Sequence, residues 1–266
     1  MRRIIFIALC LILFFIPNAF AKDIVRLATT TSTYETGILD YILEPFKKRH
    51  ELTVHIISVG TGKAMKLGEN GDVDVVLVHA REAEDRFIQE GYGVERHDVM
   101  YNDFVILGPG HDPAGIIGMK DARKALKIIY DGEYTFVSRG DDSGTDKKEK
   151  HLWGKTGLNP DGAWYLETGQ GMSSTLRIAD ERNAYLMVDR ATYLFNKDKI
   201  RLKKLVEGDK DLLNPYSIIA VNPDKYSHLK YKLSCALIKW LTSPQCGKMI
   251  NEYKIGGEQL FHASKF

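Results

Sequence analysis

Cysteine is scarce in this sequence and charge is balanced, and both features narrow the range of functions. The 266 residues include three cysteines, 37 basic residues and 35 acidic residues. A protein that binds nucleic acid or an anionic membrane surface usually carries a basic excess, because its partner is negatively charged. The composition therefore favours neither of these partners, and the chain is long enough for one large domain or two lobes.

No apolar run is long enough to cross a bilayer, which takes about 20 residues. The longest, residues 4–16, follows two arginines and precedes the small-x-small sequence of residues 19–21. These features predict a signal peptide over residues 1–21, cleaved between Ala21 and Lys22, and an exported, periplasmic protein that is soluble after cleavage. A retained membrane anchor is the alternative. Loss of the two arginines leaves 35 basic against 35 acidic residues.

Two cysteines, Cys235 and Cys246, remain after this cleavage. An exported protein can form disulfides. Eleven residues of continuous helix would separate the two by about 16 Å, which is too far for a bridge. Only a reversal of the chain near Pro244 would bring them together, so their pairing stays open.

Strand and helix patterns alternate along the chain, which predicts an α/β fold. Two apolar strands near residues 104 and 218 bracket the middle block. We therefore predict a two-lobed protein with mixed sheets flanked by helices and two crossover strands at the hinge. The predicted parts are a first segment of lobe I (22–106), lobe II (107–215) and a returning segment of lobe I (216–266). A single larger domain with an insertion is the alternative.

Four strand-to-helix junctions are rich in hydroxyl side chains, and three of them also contain glycine. They comprise residues 29–33, 58–62, 138–145 and 168–174. A helix start offers unpaired N–H groups and about half a positive charge, so such a junction suits an anion. Each junction alone is equally explained by ordinary helix capping and turn formation. Four of them, two in each predicted lobe, favour an anion site in a cleft.

Patterns for cofactors and catalysis are incomplete. The Gly60–Gly62 region lacks the Walker loop's first glycine and its final Ser or Thr, and Ser174 replaces the third glycine of a dinucleotide fingerprint. No Gly-x-Ser-x-Gly elbow and no metal-ligand spacing of histidines occurs. We therefore expect no enzyme, no cofactor and no metal cation held by protein ligands. His79, at the end of an apolar strand, is interpreted as a structural histidine, with a position facing the cleft as the alternative.

Several segments taken together resemble the tungstate-binding proteins of ABC transporters. They are TTTST after the first strand, VGTGKAMKLGENGDVDVVLVHA, EGYGVERHDVMYNDFVILGP, SRGDDSGTDKKE, ETGQGM and NPYSIIAVNP. The segments occur in the same order as in the family, and the likeness covers nearly the whole chain after the signal peptide. It implies the two-lobed periplasmic-binding-protein fold, capture of tungstate as an oxyanion, with molybdate as a second ligand, and delivery to an ABC permease driven by its ATPase. A monomer is expected.

By motif position, the resemblance implies an oxyanion site formed by Thr30, Thr31, Ser32, Arg139, Ser143, Gly144 and Thr145. We add Thr61, Gly171, Met172 and Ser173 because their junctions have the same composition. Arg139 alone is also explained by an ion pair with Asp141 or Asp142.

Phosphate is the main alternative ligand. An Arg-x-Asp-x-Ser-Gly-Thr spacing also occurs in phosphate-binding proteins of this fold, where a carboxylate accepts the ligand's proton. The sequence leaves open where Asp74, Asp141 and Asp142 point. A sensory ectodomain and a hydrolase on the same fold are further alternatives.

Overall fold

The computed structural model describes residues 22–264, and the predicted signal peptide lies outside them. None of the helices in this part of the chain has the length and apolar character needed to span a bilayer. The strands are β1 (Ile24–Thr30), β2 (Thr53–Val59), β3 (Val75–Val78), β4 (Gly93–Gly108), β5 (Phe136–Ser138), β6 (Tyr165–Glu167), β7 (Leu186–Asp189), β8 (Lys203–Val206), β9 (Leu213–Val221), β10 (Lys254–Ile255), β11 (Glu258–Gln259) and β12 (His262–Ala263).

Ten α-helices connect these strands within the described residues. They are α1 (Thr31–Glu35), α2 (Ile38–His50), α3 (Thr61–Glu69), α4 (Arg81–Gln89), α5 (Ala122–Asp131), α6 (Gly144–Thr156), α7 (Met172–Arg182), α8 (Arg190–Asn196), α9 (Tyr231–Leu241) and α10 (Pro244–Glu252). A short 3₁₀-helix (Lys210–Leu212) precedes β9.

The first lobe contains a mixed sheet in the order β12-β4-β9-β3-β1-β2. Strand β1 runs parallel to β2 and β3, whereas β9 pairs antiparallel with both β3 and β4. Because β1 to β3 are parallel, their carboxyl ends meet at one edge of the sheet, followed by helices α1, α3 and α4. This edge is where ligands bind in open α/β sheets.

The second lobe is built around the last five residues of β4, which pair with β7 and β8, together with the parallel pair β5 and β6. Strand β4 changes neighbours between Asp103, opposite β9, and Phe104, opposite β7. The fold therefore confirms the predicted two-lobed α/β class with mixed sheets and long hinge strands. The lobe boundaries at residues 106/107 and 215/216 stay predictions.

Apolar side chains form a core on both faces of each sheet. In the first lobe, Val25 and Leu27 of β1 pack against α2, α9 and α10, while Ala28 faces α3 and α4. In the second lobe, one cluster packs beneath α5 and α6 and another beneath α7. Helix α8 lies between the lobes, since its Ala191 and Leu194 pack into the core of the first lobe.

The two cysteines lie on consecutive helices. Cys235 on α9 is half-buried and Cys246 on α10 is buried, and both are free thiols. The break between α9 and α10 therefore does not bring the two cysteines into a disulfide.

Candidate functional site

All eleven predicted site residues line one cavity between the lobes. Its volume is about 380 Å³. The lining consists of Thr30, Thr31, Ser32, Glu35, Val59, Gly60, Thr61, His79, Arg139, Ser143, Gly144, Thr145, Gly171, Met172, Ser173, Ser174 and Thr192. The four junctions thus converge although they are far apart in sequence.

The first junction turns sharply from β1 into the short helix α1. The Thr30 hydroxyl caps this helix by accepting a hydrogen bond from the Thr33 amide at 3.4 Å, and it lies 2.5 Å from the Thr33 hydroxyl. When Thr33 supplies the proton of that contact, the Thr30 hydroxyl is free to donate into the cavity. Thr31 and Ser32 follow directly and complete the hydroxyl-rich wall.

Helices α3 and α7 face the cavity with glycine caps. Gly60 precedes α3 and Gly171 precedes α7, and neither helix has a side-chain hydrogen bond at its cap. The first-turn N–H groups of a helix have no carbonyl partner within the helix. The starts of α3 and α7 therefore leave amide donors for a ligand, beside the hydroxyls of Thr61 and Ser173.

The third junction is held in place by its own polar residues. The Ser143 hydroxyl caps α6 by accepting from the Asp146 amide at 3.3 Å, and a carboxylate oxygen of Asp146 accepts from the Gly140 amide at 3.0 Å. Gly144 and Thr145 then form the first turn of α6 and line the cavity. These hydrogen bonds connect the loop to the first turn of α6, whose residues line the cavity.

Arg139 is the positively charged side chain in the lining. One Nη atom donates to Asp141, and the buried Nε atom has no hydrogen-bond partner among the described residues. A buried donor without a partner is costly, so it usually marks a group that serves a ligand or a water. Arg139 therefore both pairs with Asp141 and lines the cavity, and Asp141 orients its guanidinium group.

The three carboxylates that the sequence left open are engaged elsewhere. Asp141 accepts from Arg139 and from the Ser143 amide, and these hydrogen bonds lower its pKa although burial alone would raise it. Asp142 is exposed and pairs with Lys147 at 3.1 Å. Asp74 lies before the start of β3 and binds Arg26. None of the three lines the cavity.

The lining also contains residues that the sequence reasoning did not select. They are Glu35, Val59, Gly60, His79, Ser174 and Thr192. Gly60 and Ser174 belong to recognised junctions, so composition could have found them. Thr192 follows β7 at a fifth strand-to-helix turn, whose cap is the acidic Asp189. Glu35 is an exposed carboxylate shared with a smaller neighbouring cavity.

His79 combines two roles that the sequence reasoning treated as alternatives. Its Nδ1 atom lies 2.9 Å from the amide oxygen of Asn214, which gives the ring a structural partner. The ring also lines the cavity next to Gly144. The interpretation of a purely structural histidine is therefore incomplete.

The arrangement is suited to a small tetrahedral anion that carries no proton. Hydroxyls, first-turn amides and one guanidinium surround the cavity, and each can donate a hydrogen bond. Charge-assisted hydrogen bonds to such donors are stronger than neutral ones. Glu35 is the only carboxylate among the lining residues described here.

Comparisons with known proteins show what this chain is similar to. A family model described as a PBP superfamily domain matches residues 21–245. A putative ABC transporter anion-binding protein of Haloferax volcanii is 50% identical over 88% of this chain and 70% of its own length. The tungstate-binding protein TupA of Peptoclostridium acidaminophilum is 43% identical, over 92% and 86%. The crystal structure of the tungstate ABC transporter from Geobacter sulfurreducens is 51% identical, covers 86% of this chain and 98% of its own, and has a TM-score of 0.79.

Proposed function

Since this chain belongs to the PBP superfamily, in one family with the tungstate-binding proteins it is similar to, we propose that it captures tungstate between its lobes and delivers it to an ABC permease. The observation that carries the proposal is the convergence of four donor-rich junctions on one cavity. Relatives named for tungstate or anion binding by ABC transporters support it.

The chemistry of the anion explains why donors dominate. Tungstate at neutral pH is a dianion with oxygen lone pairs and no proton to give. A nanomolar site needs about 12 kcal/mol of binding free energy. Charge-assisted hydrogen bonds contribute roughly 1.5 to 3 kcal/mol each. About six or seven of them, drawn from Arg139, the hydroxyls and the helix amides, supply this after association costs.

Phosphate is the second candidate, and the Arg139–Thr145 spacing is the feature that favours it. Recognition of hydrogen phosphate needs an acceptor for its proton. Asp141 is occupied by Arg139 and the Ser143 amide, so it is poorly placed for that role. Glu35 and the unprotonated nitrogen of His79 are the other acceptors of the lining, and the donors outnumber them. We therefore expect a fully deprotonated oxyanion to be preferred, with molybdate as the closest competitor of tungstate.

Titration calorimetry on the purified protein beginning at Lys22 tests the ligand. We expect tungstate and molybdate to bind far more tightly than sulfate or phosphate. The Arg139→Gln variant should lose about 10- to 150-fold in affinity, the equivalent of one charge-assisted hydrogen bond. Arg81→Gln removes an equal charge from an exposed pair with Asp85 outside the cavity and should bind normally. Preference for phosphate, or equal loss in both variants, would contradict the proposal.

We further propose that the protein is a binding component and not an enzyme, and that it works as a periplasmic monomer with a permease and an ATPase. Crosslinking in intact cells should capture a permease. Capture of a signalling receptor instead would favour a sensory ectodomain. Turnover of phosphoesters that is abolished by changing a cavity residue would favour a hydrolase.

A further inference from the structure

His79 is a side chain of the first lobe that lies next to the start of α6 in the second lobe. It follows β3 directly, and its ring centre lies 4.7 Å from that of Tyr216 on β9. A Cβ atom added to Gly144 would lie 3.0 Å from Cε1 of the imidazole. The ring is therefore held between β9 and the first residue of α6 while it lines the cavity.

A chain of amides fixes which ring nitrogen carries a hydrogen. The Asn214 Nδ2 group donates to the Asn102 side-chain oxygen at 2.8 Å and to the Tyr216 hydroxyl at 3.1 Å. Its amide oxygen is thereby turned toward His79 Nδ1, at 2.9 Å. An amide oxygen only accepts, so Nδ1 carries a hydrogen in both charge states. Nε2 is the atom that gains or loses the proton.

Without a ligand, the groups around the ring do little to stabilise a positive charge on it. Asp189 attracts a proton toward the imidazole, but both of its carboxylate oxygens already accept hydrogen bonds from Thr192. Arg139 and Glu35 share the cavity with the ring, and the Tyr216 phenol beside it is neutral because burial raises its pKa. Burial lowers the pKa of His79 below its usual 6.5, which keeps the ring uncharged at neutral pH.

We propose that His79 completes the anion shell by taking up one proton at Nε2 when tungstate binds. Nε2 is the ring nitrogen that Asn214 does not engage, and the proposal places it against the anion in the cavity that the ring lines. A neutral Nε2 would present a lone pair to a ligand that itself has only lone pairs, and the contact would be repulsive. A protonated ring presents an N–H donor and a positive charge instead, and a nearby anion favours this charged form. The proton comes from solvent. This inference rests on the proposed function, because it needs an oxyanion in the cavity.

Calorimetry in several buffers measures the proposed proton directly. Sodium tungstate is titrated into the protein at pH 7.0 in buffers that differ in ionisation enthalpy, and the slope of heat against that enthalpy gives protons taken up per anion. We expect close to one proton. Linkage then requires the affinity to fall about tenfold per pH unit between pH 7 and 8.5.

Two variants assign the proton to its residue. His79→Gln keeps a neutral amide at the site and removes the titration, so it should bind with no proton uptake and with an affinity independent of pH. His55→Gln changes an exposed histidine of β2 outside the cavity and should behave as the wild type.

An NMR measurement on the wild type avoids dependence on the folding of a variant. The His79 ring signal, identified by its absence from the His79→Gln spectrum or by its contact with Tyr216, should move to the charged position when tungstate is added at pH 7. Tungstate binding without proton uptake, or with equal uptake in His79→Gln, would overturn the inference and leave the proposed function intact. A wild type that binds no oxyanion would remove both.

Discussion

At the scale of single residues, Glu149 is a buried carboxyl on α6 whose ionisation should set the pH dependence of stability. It is 1% exposed and accepts hydrogen bonds from the Tyr165 hydroxyl at 2.8 Å and Trp153 Nε1 at 3.2 Å. Burial outweighs these contacts and raises its pKa from 4.5 to about 7. Between these values the unfolded chain loses the proton while the folded protein keeps it. The contribution of Glu149 to the free energy of unfolding therefore falls with rising pH, by up to about 3 kcal/mol.

Glu149→Gln should remove this loss, because the amide keeps the acceptor oxygen and does not ionise. We expect the variant to match the wild type near pH 5 and to exceed its stability at pH 8. Urea unfolding at both values measures the difference. Glu167→Gln, at an exposed carboxylate near the same helix, is the control and should leave the pH dependence unchanged. Identical pH profiles for wild type and Glu149→Gln would contradict the assignment.

The two thiols should also be distinguishable by experiment. Burial raises the pKa of Cys246 to about 12, whereas Cys235 is half-buried. The thiolate is the reactive form, so Cys246 should react very slowly with DTNB in the folded protein. Unfolding without reductant should release two thiols per chain that lacks the signal peptide, and a reductant should leave the melting temperature unchanged. Two thiols that appear only after reduction would show a disulfide.

Residue types at the junctions predicted most of the cavity lining. Hydroxyl and glycine residues at a helix start are a local signal, and Thr61 and Ser173 were found by composition alone. His79 and Thr192 gave no such signal, because their importance depends on contacts that join distant parts of the chain. Asn214 and Asn102, which orient His79, are 112 residues apart in sequence.

At the scale of elements, helix α6 contains two glycines whose substitution tests tungstate binding and helix stability separately. Gly144 begins the helix, and an added Cβ would press on the His79 ring at 3.0 Å. Gly154 lies on the exposed side of the same helix, where an added Cβ has no neighbour within 4 Å. Gly144→Ala should therefore weaken tungstate binding at least tenfold without unfolding the protein.

Gly154→Ala is the matched control. It should raise stability by about 0.5 to 1 kcal/mol, because alanine is the better helix former, and it should leave affinity unchanged. Thermal unfolding and calorimetry on both variants measure the two effects. Normal tungstate affinity in Gly144→Ala would show that the start of α6 does not approach His79 in the bound state.

Element lengths were harder to predict than element types. The apolar run at residues 104–107 predicted only the end of β4, which extends from Gly93 to Gly108. Its first part alternates between buried and exposed positions and contains irregular register against β9, so it lacks a continuous apolar signal. Strand β8 begins with two lysines and was missed for the same reason.

At the scale of the whole molecule, helix α8 ties the hinge to both lobes. Its first residue, Arg190, binds Asp103 of β4 through two hydrogen bonds of 2.5 and 2.6 Å and Glu207 through one of 2.8 Å. Its apolar face meanwhile packs on the first lobe through Ala191 and Leu194. We therefore expect helix α8 to remain with the hinge when the lobes close.

Closure of the lobes should follow from the size of the cavity. A volume of about 380 Å³ holds roughly a dozen waters at about 30 Å³ each, whereas tungstate has five heavy atoms. Thr30 and Arg139 belong to different lobes and line the same cavity, and we expect a closer approach of the lobes to let one such anion contact donors of both. Small-angle scattering should therefore show a smaller radius of gyration with tungstate than without. Sulfate at the same concentration, and tungstate with Arg139→Gln at a concentration too low to saturate it, should leave the radius unchanged. Saturation of the wild type without compaction would show that one wall holds the anion, and the convergence of four junctions would then lose its role in binding.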